Sequence, residues 1–277
     1  MGIFISFLEA FSRCFGLQHL LMANCFYCSA MLVYALVAKQ NARFKDELIE
    51  LWRDKKVLLR MLLASFLIAA NWLIYIYAVG HGQATQASLG YYILPIVSIL
   101  FALIFLRESL SRTMWAAVVL AFIGVLVLVV NTGKLPMVSL GLSLTFGFYG
   151  LIKKGVKLSS DVAMLVESGL LLPFVAIYLI FFSPESFSSY SGLEMFLLAI
   201  SGVVTAVPLL CFSEAVKRAP LNLIGFIQYL NPTIQLLVAI LIFGETVSIG
   251  ELKGFLFIWI AILVFVTGQI VTFRRSS

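Results

Sequence analysis

Side chains able to do chemistry are few in this 277-residue chain, and most of them are neutral. The densest set is Gln228, Asn231 and Gln235, whose i, i+3, i+7 spacing puts them on one face of a helix beside Tyr229 and Pro232. Pro232 has no amide hydrogen and frees the carbonyl four residues back, so a break or kink is expected there. Asn71 and Tyr75, four residues apart, form a second set with Trp72 beside them, and Tyr91, Tyr92 and Pro95 form a third. Amide, phenol and indole groups of this kind suit contact with a neutral or cationic organic solute. The same groups also serve as interhelical hydrogen bonds worth well under about 2 kcal/mol each, and the residues alone leave both roles open.

Glu167 is the one carboxylate well inside an apolar run, six residues past its start at 161, or about 9 Å at 1.5 Å per residue. Burial favours the neutral form of a carboxylate, so Glu167 is a candidate for binding and releasing a coupling proton; the alternative is a structural pair with a lysine such as Lys153. Glu214 lies three and four residues before Lys217 and Arg218, which reads as a local ion pair. Glu108 and Glu245 each follow an apolar run and read as boundary features. The two histidines, His19 and His81, are isolated, and neither a glycine-rich phosphate loop nor H-E-x-x-H occurs, so catalytic residues, a metal, a cofactor and ATP-driven pumping are not expected. Cys25 and Cys28 form a C-x-x-C inside an apolar run rather than at a strand-helix junction, and with Cys14 and Cys211 they do not make a disulfide framework.

These residues must be held by membrane-spanning helices. The chain is 62% hydrophobic and 12% charged, with a mean hydropathy of +1.08, against roughly 45–50% and about 25% for soluble domains. A water-soluble enzyme is excluded, and so is a disordered chain. The net charge of +6 comes from short basic clusters between apolar runs, a pattern of membrane orientation rather than of nucleic-acid binding. A helix needs about 20 apolar residues to cross a bilayer, and runs of this kind occupy 20–38, 57–79, 87–106, 115–131, 137–152, 161–183, 195–216, 222–243 and 255–272. The charged stretch 39–56 reads as a surface helix or loop.

Placing 39–56 in the cytoplasm puts sixteen of the nineteen Lys and Arg residues inside and only Lys134 and Lys253 outside, so the C-terminus is expected to be cytoplasmic. Residues 1–18 carry Glu9 and Arg13, each costing about 2.5–3.5 kcal/mol at mid-bilayer, and make a degenerate first span rather than an ordinary one. They lack the basic start and cleavage site of a signal peptide.

Sliding the chain on itself by 137 residues aligns Asn71–Val129 with Pro208–Val266 without a gap. Leu73, Ala78, Val79, Tyr92, Pro95, Leu100, Ala102 and Glu108 meet Leu210, Ala215, Val216, Tyr229, Pro232, Leu237, Ala239 and Glu245. The span at 87–106 runs inward and its copy at 222–243 runs outward, so the repeat is inverted. That is the architecture of secondary transporters with alternating access. The expected fold class is therefore an all-α polytopic membrane protein of two inverted five-helix repeats, 1–131 and 137–277, with ten helices expected and nine clear.

The segments NWLIYIYAV (71–79), ASLGYYILP (87–95), FGFYGLIKK (146–154), ESGLLLP (167–173), VPLLCFSEAVKRAPLNLIGFIQYLNPT (207–233) and FIWIAILVF (257–265) resemble the RarD proteins, a branch of the EamA-type drug/metabolite transporters of bacteria. The resemblance covers residues 57–275 and implies a ten-helix inner-membrane permease, in a family linked to chloramphenicol sensitivity. Asn24 and Cys25 stand where that family has a His-Arg pair, and the Trp-Gly pair that precedes it there is missing. The reading is a permease that moves a small organic solute through the lipid bilayer. The alternative is a truncated or frame-altered member that does not transport. An intramembrane enzyme is a third class, whose signature of clustered His, Asp or Arg is missing.

Overall fold

The computed structural model describes residues 17–37, 41–81, 83–132, 137–181, 190–241 and 248–276. Their secondary structure is helical throughout: α1 (Leu17–Val37), α2 (Asn41–Arg53), α3 (Lys55–Gly80), α4 (Ala84–Phe105), α5 (Arg112–Thr132), α6 (Met137–Lys154), α7 (Ser160–Phe181), α8 (Gly192–Arg218), α9 (Leu221–Gln228), α10 (Leu230–Leu241) and α11 (Ile249–Ser276). Among the described residues six helices, α3, α4, α5, α7, α8 and α11, are long and apolar enough to cross a membrane. Helix is the form that satisfies every backbone group within its own segment in hydrocarbon. Residues 1–16, with Glu9, Arg13 and Cys14, lie outside the described residues, as does Glu245.

The stretch expected as a surface helix or loop forms α2. Its Leu51, with Phe44 and Leu48, packs against Met61 of α3, Leu158 of the α6–α7 connection, and Val162 and Val166 near the start of α7, while Trp52 and Ile49 stay exposed. The expected span at 222–243 is two helices. Pro232 supplies no amide hydrogen, and the chain turns at Tyr229, whose amide donates to the Phe226 carbonyl at 3.2 Å.

The repeat is visible in where helices begin. Lys55 and Gly192, Ala84 and Leu221, and Arg112 and Ile249 start three helix pairs, each 137 residues apart. Their caps repeat too. Asp54 Oδ1 accepts from the Lys56 amide at 2.8 Å, and at the equivalent place Ser191 and Glu194 form a reciprocal capping box at 3.3 and 2.8 Å. Ser111 Oγ accepts from the Met114 amide at 3.3 Å, and its equivalent Ser248 forms a second box with Glu251 at 3.2 and 2.9 Å.

The chain divides into two compact units, residues 1–81 with 152–218 and residues 82–151 with 219–277. The boundaries at His81 and Arg218 are again 137 residues apart. Each unit therefore takes a segment from both halves of the sequence. In the first unit α1 lies on α7 and α8, and a Cβ on Gly202 of α8 would come within 2.6 Å of the Tyr27 amide nitrogen. In the second unit repeat-equivalent helices pack on one another, α5 on α11 and α4 on α9. Partners of α5 run from Gly268 at Thr113, through Gly254 at Gly124, to Ser248 at Asn131, so the two helices are antiparallel and the repeat is inverted.

A Cβ on Gly124 would sit 2.8 Å from the Gly254 carbonyl oxygen, backbone that has no rotamer to yield. Gly124→Ala is expected to destabilise by overpacking, by about 1–3 kcal/mol. Gly169→Ala, with nothing within 4 Å of its Cβ, should leave stability unchanged or raise it through helix propensity. Melting temperatures of the two detergent-solubilised variants check this; equal values would refute the close approach.

Candidate functional site

The second unit brings together most of the neutral polar candidates, at the crossing of α4 with α9 and α10. Tyr92 Oη donates to the Pro232 carbonyl at 3.2 Å, and Ser98 Oγ donates to Gln228 Oε1 at 3.2 Å. One turn before Gln228, Gly225 passes so close to α4 that a Cβ there would meet Ile99 Cγ1 at 2.8 Å and the Pro95 carbonyl oxygen at 2.9 Å. Partners of α4 thus descend as α4 ascends, and these helices too are antiparallel. The Tyr229 hydroxyl is fully buried and has no hydrogen-bond partner among the described residues. The Tyr229 carbonyl accepts from the Thr233 hydroxyl at 2.8 Å, and Trp259 Nε1 of α11 donates to that hydroxyl at 3.4 Å. Back-bonding of this kind bends helices and supports the break that Pro232 permits. Phe255 lies against Tyr92 with ring centroids 5.2 Å apart. Tyr91 is half-buried and Asn231 exposed; the Gln235 side chain lies outside the described part.

The first unit holds the buried ion pair. Lys153 Nζ donates to Glu167 Oε1 at 2.8 Å, and the two side chains are 0% and 4% exposed. The structural pair weighed in the sequence is therefore present. Lys217 donates to the Leu158 carbonyl at 2.5 Å and Lys154 to the Val216 carbonyl at 3.3 Å. Glu47 of α2 accepts from the Ser159 amide and hydroxyl at 2.8 and 2.7 Å, and Arg60 donates to the Gly155 carbonyl at 3.1 Å. The α6–α7 connection is thereby fastened from α2, α3 and α8. Glu214 pairs with Arg218, as its spacing suggests, and accepts from Ser160 Oγ at 2.6 Å.

Asn71 of the first unit is buried, Tyr75 half-buried, and Trp72 meets Tyr27 edge-on with centroids 6.3 Å apart. Asn24 Nδ2 donates to the Ser168 carbonyl at 3.4 Å. In the second unit Glu108 accepts from the Leu221 and Asn222 amides at 2.9 and 3.0 Å, satisfying the first turn of α9. Cys25 and Cys28 are free thiols on α1. Ser98, Thr233, Trp259 and Tyr27 were not singled out by sequence, since single hydroxyls and aromatics are common in spans; for Ser98 the available signal is its position 137 residues before Gln235.

A profile of the EamA-like transporter family matches residues 1–130 and 135–267. Protein RarD of Salmonella typhimurium is 42% identical over 235 residues, which are 81% of this chain and 80% of that one. Protein RarD of Escherichia coli K12 is 43% identical, covering 77% and 73%, and an uncharacterized transporter of Bacillus subtilis, YojE, is 41% identical, covering 79% and 74%. A protein of known crystal structure, 15% identical, superposes with a TM-score of 0.68 over 98% of this chain and 94% of that one, and so shares the fold. Two inverted helical repeats in a multi-pass membrane protein of bacterial transporter type define the class of this molecule. The chain belongs to the EamA-like transporter family, on its RarD branch within the drug/metabolite transporters.

Removing one member of a buried ion pair strands the other charge at a cost of about 3–5 kcal/mol, whereas replacing both by apolar groups is often neutral. Glu167→Leu should therefore lower the yield of folded, monodisperse protein, and the double variant Glu167→Leu/Lys153→Met should restore most of it, as read by size-exclusion chromatography of solubilised membranes. A double variant no better than the single would show that the pair is not the source of the loss.

Proposed function

We propose that this protein moves a small neutral or cationic organic solute across the bacterial inner membrane by alternating access, with its C-terminus in the cytoplasm and the repeats divided at residues 131–137. The observation that carries the reading is the interruption of regular helical hydrogen bonding at Tyr229, whose amide reaches back three residues to Phe226, inside a span that also holds Gln228, Asn231 and Gln235. Discontinuous helices place backbone and polar groups at membrane depth where solutes bind in inverted-repeat transporters. Tyr91, Tyr92, Gln228, Tyr229, Asn231 and Gln235 are the proposed solute-contacting residues of the second unit, and Asn71, Trp72 and Tyr75 those of the first. Their amides, phenols and indole offer hydrogen bonds and aromatic faces without fixed charge. Chloramphenicol, suggested by the RarD resemblance, is the first solute to try.

Glu167 is the proposed coupling carboxylate. Protonation would replace its ion pair with Lys153 by a weaker bond from the ammonium to a neutral carbonyl oxygen, so proton occupancy and the local arrangement around the pair would be linked. In proteoliposomes, an imposed pH gradient is expected to drive chloramphenicol, or another aromatic solute from a panel, against its own gradient. Glu167→Gln keeps an acceptor for Lys153 and should insert normally yet lose gradient-driven movement. Undiminished driven movement in that variant would dispose of the coupling role. In the same assay Asn231→Ala should weaken apparent affinity several-fold. A fluorescent protein fused after Ser277 should be bright and alkaline phosphatase at that place inactive; the opposite pair of results would reverse the orientation.

A further inference from the structure

The two Tyr-x-x-Pro motifs, Tyr92 to Pro95 and Tyr229 to Pro232, occupy equivalent places in the repeats and meet at the antiparallel crossing of α4 with α9 and α10. In that crossing Tyr92 lies opposite Pro232. Adding 137 to Tyr92 and subtracting it from Pro232 gives Tyr229 and Pro95, so the register that brings the first pair together brings the second pair level as well. An exactly two-fold crossing would make both bonds or neither. One is made: Tyr92 Oη donates to the Pro232 carbonyl at 3.2 Å, while the Tyr229 hydroxyl, fully buried, finds no partner among the described residues. Gly225, one turn before Tyr229, passes close to the Pro95 carbonyl instead. The backbone differs in the same sense: α4 continues through Tyr92, whereas at the α9–α10 junction the Tyr229 amide turns to the Phe226 carbonyl, three residues back, at 3.2 Å.

We propose that Tyr92 and Tyr229 are alternative latches: the Tyr92 bond to the Pro232 carbonyl holds the state seen here, and a Tyr229 bond to the Pro95 carbonyl replaces it in the oppositely facing state. The inference rests on the alternating-access reading and assigns the residues that hold its two ends. A transporter with inverted repeats reaches its second state when the repeats exchange conformations, and exchange of these two hydrogen bonds is the local form of that event. The orphan hydroxyl is then a group waiting for its partner. That accounts for an unsatisfied buried donor, which proteins otherwise avoid.

The latches predict opposite effects from one chemical change. Tyr92→Phe removes a bond made in this state only, and Tyr229→Phe removes a bond made in the other state only. A neutral hydrogen bond shifts an equilibrium by about fivefold. The test uses the full chain with Cys14, Cys25, Cys28 and Cys211 replaced by serine and a single reporter thiol from Asn231→Cys. A membrane-impermeant maleimide is applied to right-side-out and to inside-out vesicles, and the ratio of the two labelling rates is the readout. Relative to the reporter parent, the two variants are expected to move this ratio in opposite directions, each by about fivefold, and the double variant to return it to within about twofold. Ratios that move together, or not at all, while the parent labels from both sides, overturn the latches and leave alternating access standing. A parent that labels from fewer than two sides removes alternating access and the latches with it.

Discussion

Close antiparallel contact between repeat-equivalent helices is the constraint on which the second unit depends. Lipid tails are as apolar as leucine, so helices in a bilayer gain little from the hydrophobic effect and associate through packing and interhelical hydrogen bonds. The crossing of α5 with α11 shows what that demands. Gly124 and Gly254 meet at backbone distance, and the places related to them by the repeat are Ala261 and Ala117, both fully buried. Small residues thus stand on both helices at both symmetry-related points. The crossing of α4 with α9 is built in the same way around Gly225.

Polar groups follow from the same constraint, and the two units treat them differently. In the second unit the buried polar side chains at the α4 crossing are neutral, and each bond there costs little to break because neither partner is ionised. In the first unit a full ion pair, Lys153 with Glu167, is withdrawn from solvent. Desolvating both ions is expensive, and their attraction recovers that cost only while the pair is intact. Neutral bonds suit a crossing that rearranges, as the proposed alternation requires. If Glu167 is the coupling carboxylate proposed above, a buried ion pair is a point where gain of a proton would have a large structural consequence. The fastening of the α6–α7 connection by Glu47, Arg60 and Lys217 supplies the fixed frame around that pair.

Much of this was legible in the sequence because the repeat is written in residue types as well as in hydropathy. The Tyr-x-x-Pro coincidence marked the two segments as equivalent, though not that they cross, and Pro232 marked where the break falls through its missing amide. Glu214 with Arg218 followed from helical spacing alone. Lys153 was legible only as one of several lysines able to reach Glu167, since pairing between different helices depends on packing that spacing does not encode. The Glu108 carboxylate was read correctly as a boundary residue, but its task of receiving the first amides of α9 joins residues 113 and 114 apart in sequence. The interleaving of the halves into two units was not anticipated, although the boundaries at His81 and Arg218 keep the 137-residue offset. Hydropathy reports depth in the membrane and says nothing about which spans are neighbours.

The asymmetry of the Tyr-x-x-Pro crossing has a local cause in sequence. Both copies contain proline, yet only the second breaks, and the residue after proline differs: Ile96 in the first copy, Thr233 in the second. The Thr233 hydroxyl bonds back to the Tyr229 carbonyl and is itself held by Trp259. Isoleucine has no group to do this, so proline is absorbed in α4 as a missing bond and in the second copy becomes a break. Two identical inverted repeats would give exchanged conformations of equal energy, with no preferred facing. Under the proposed alternating access, divergence at single positions such as 96 and 233 would make the two conformations unequal, and a few such differences, each worth about 1 kcal/mol, would be enough to set the resting state while leaving the other within thermal reach.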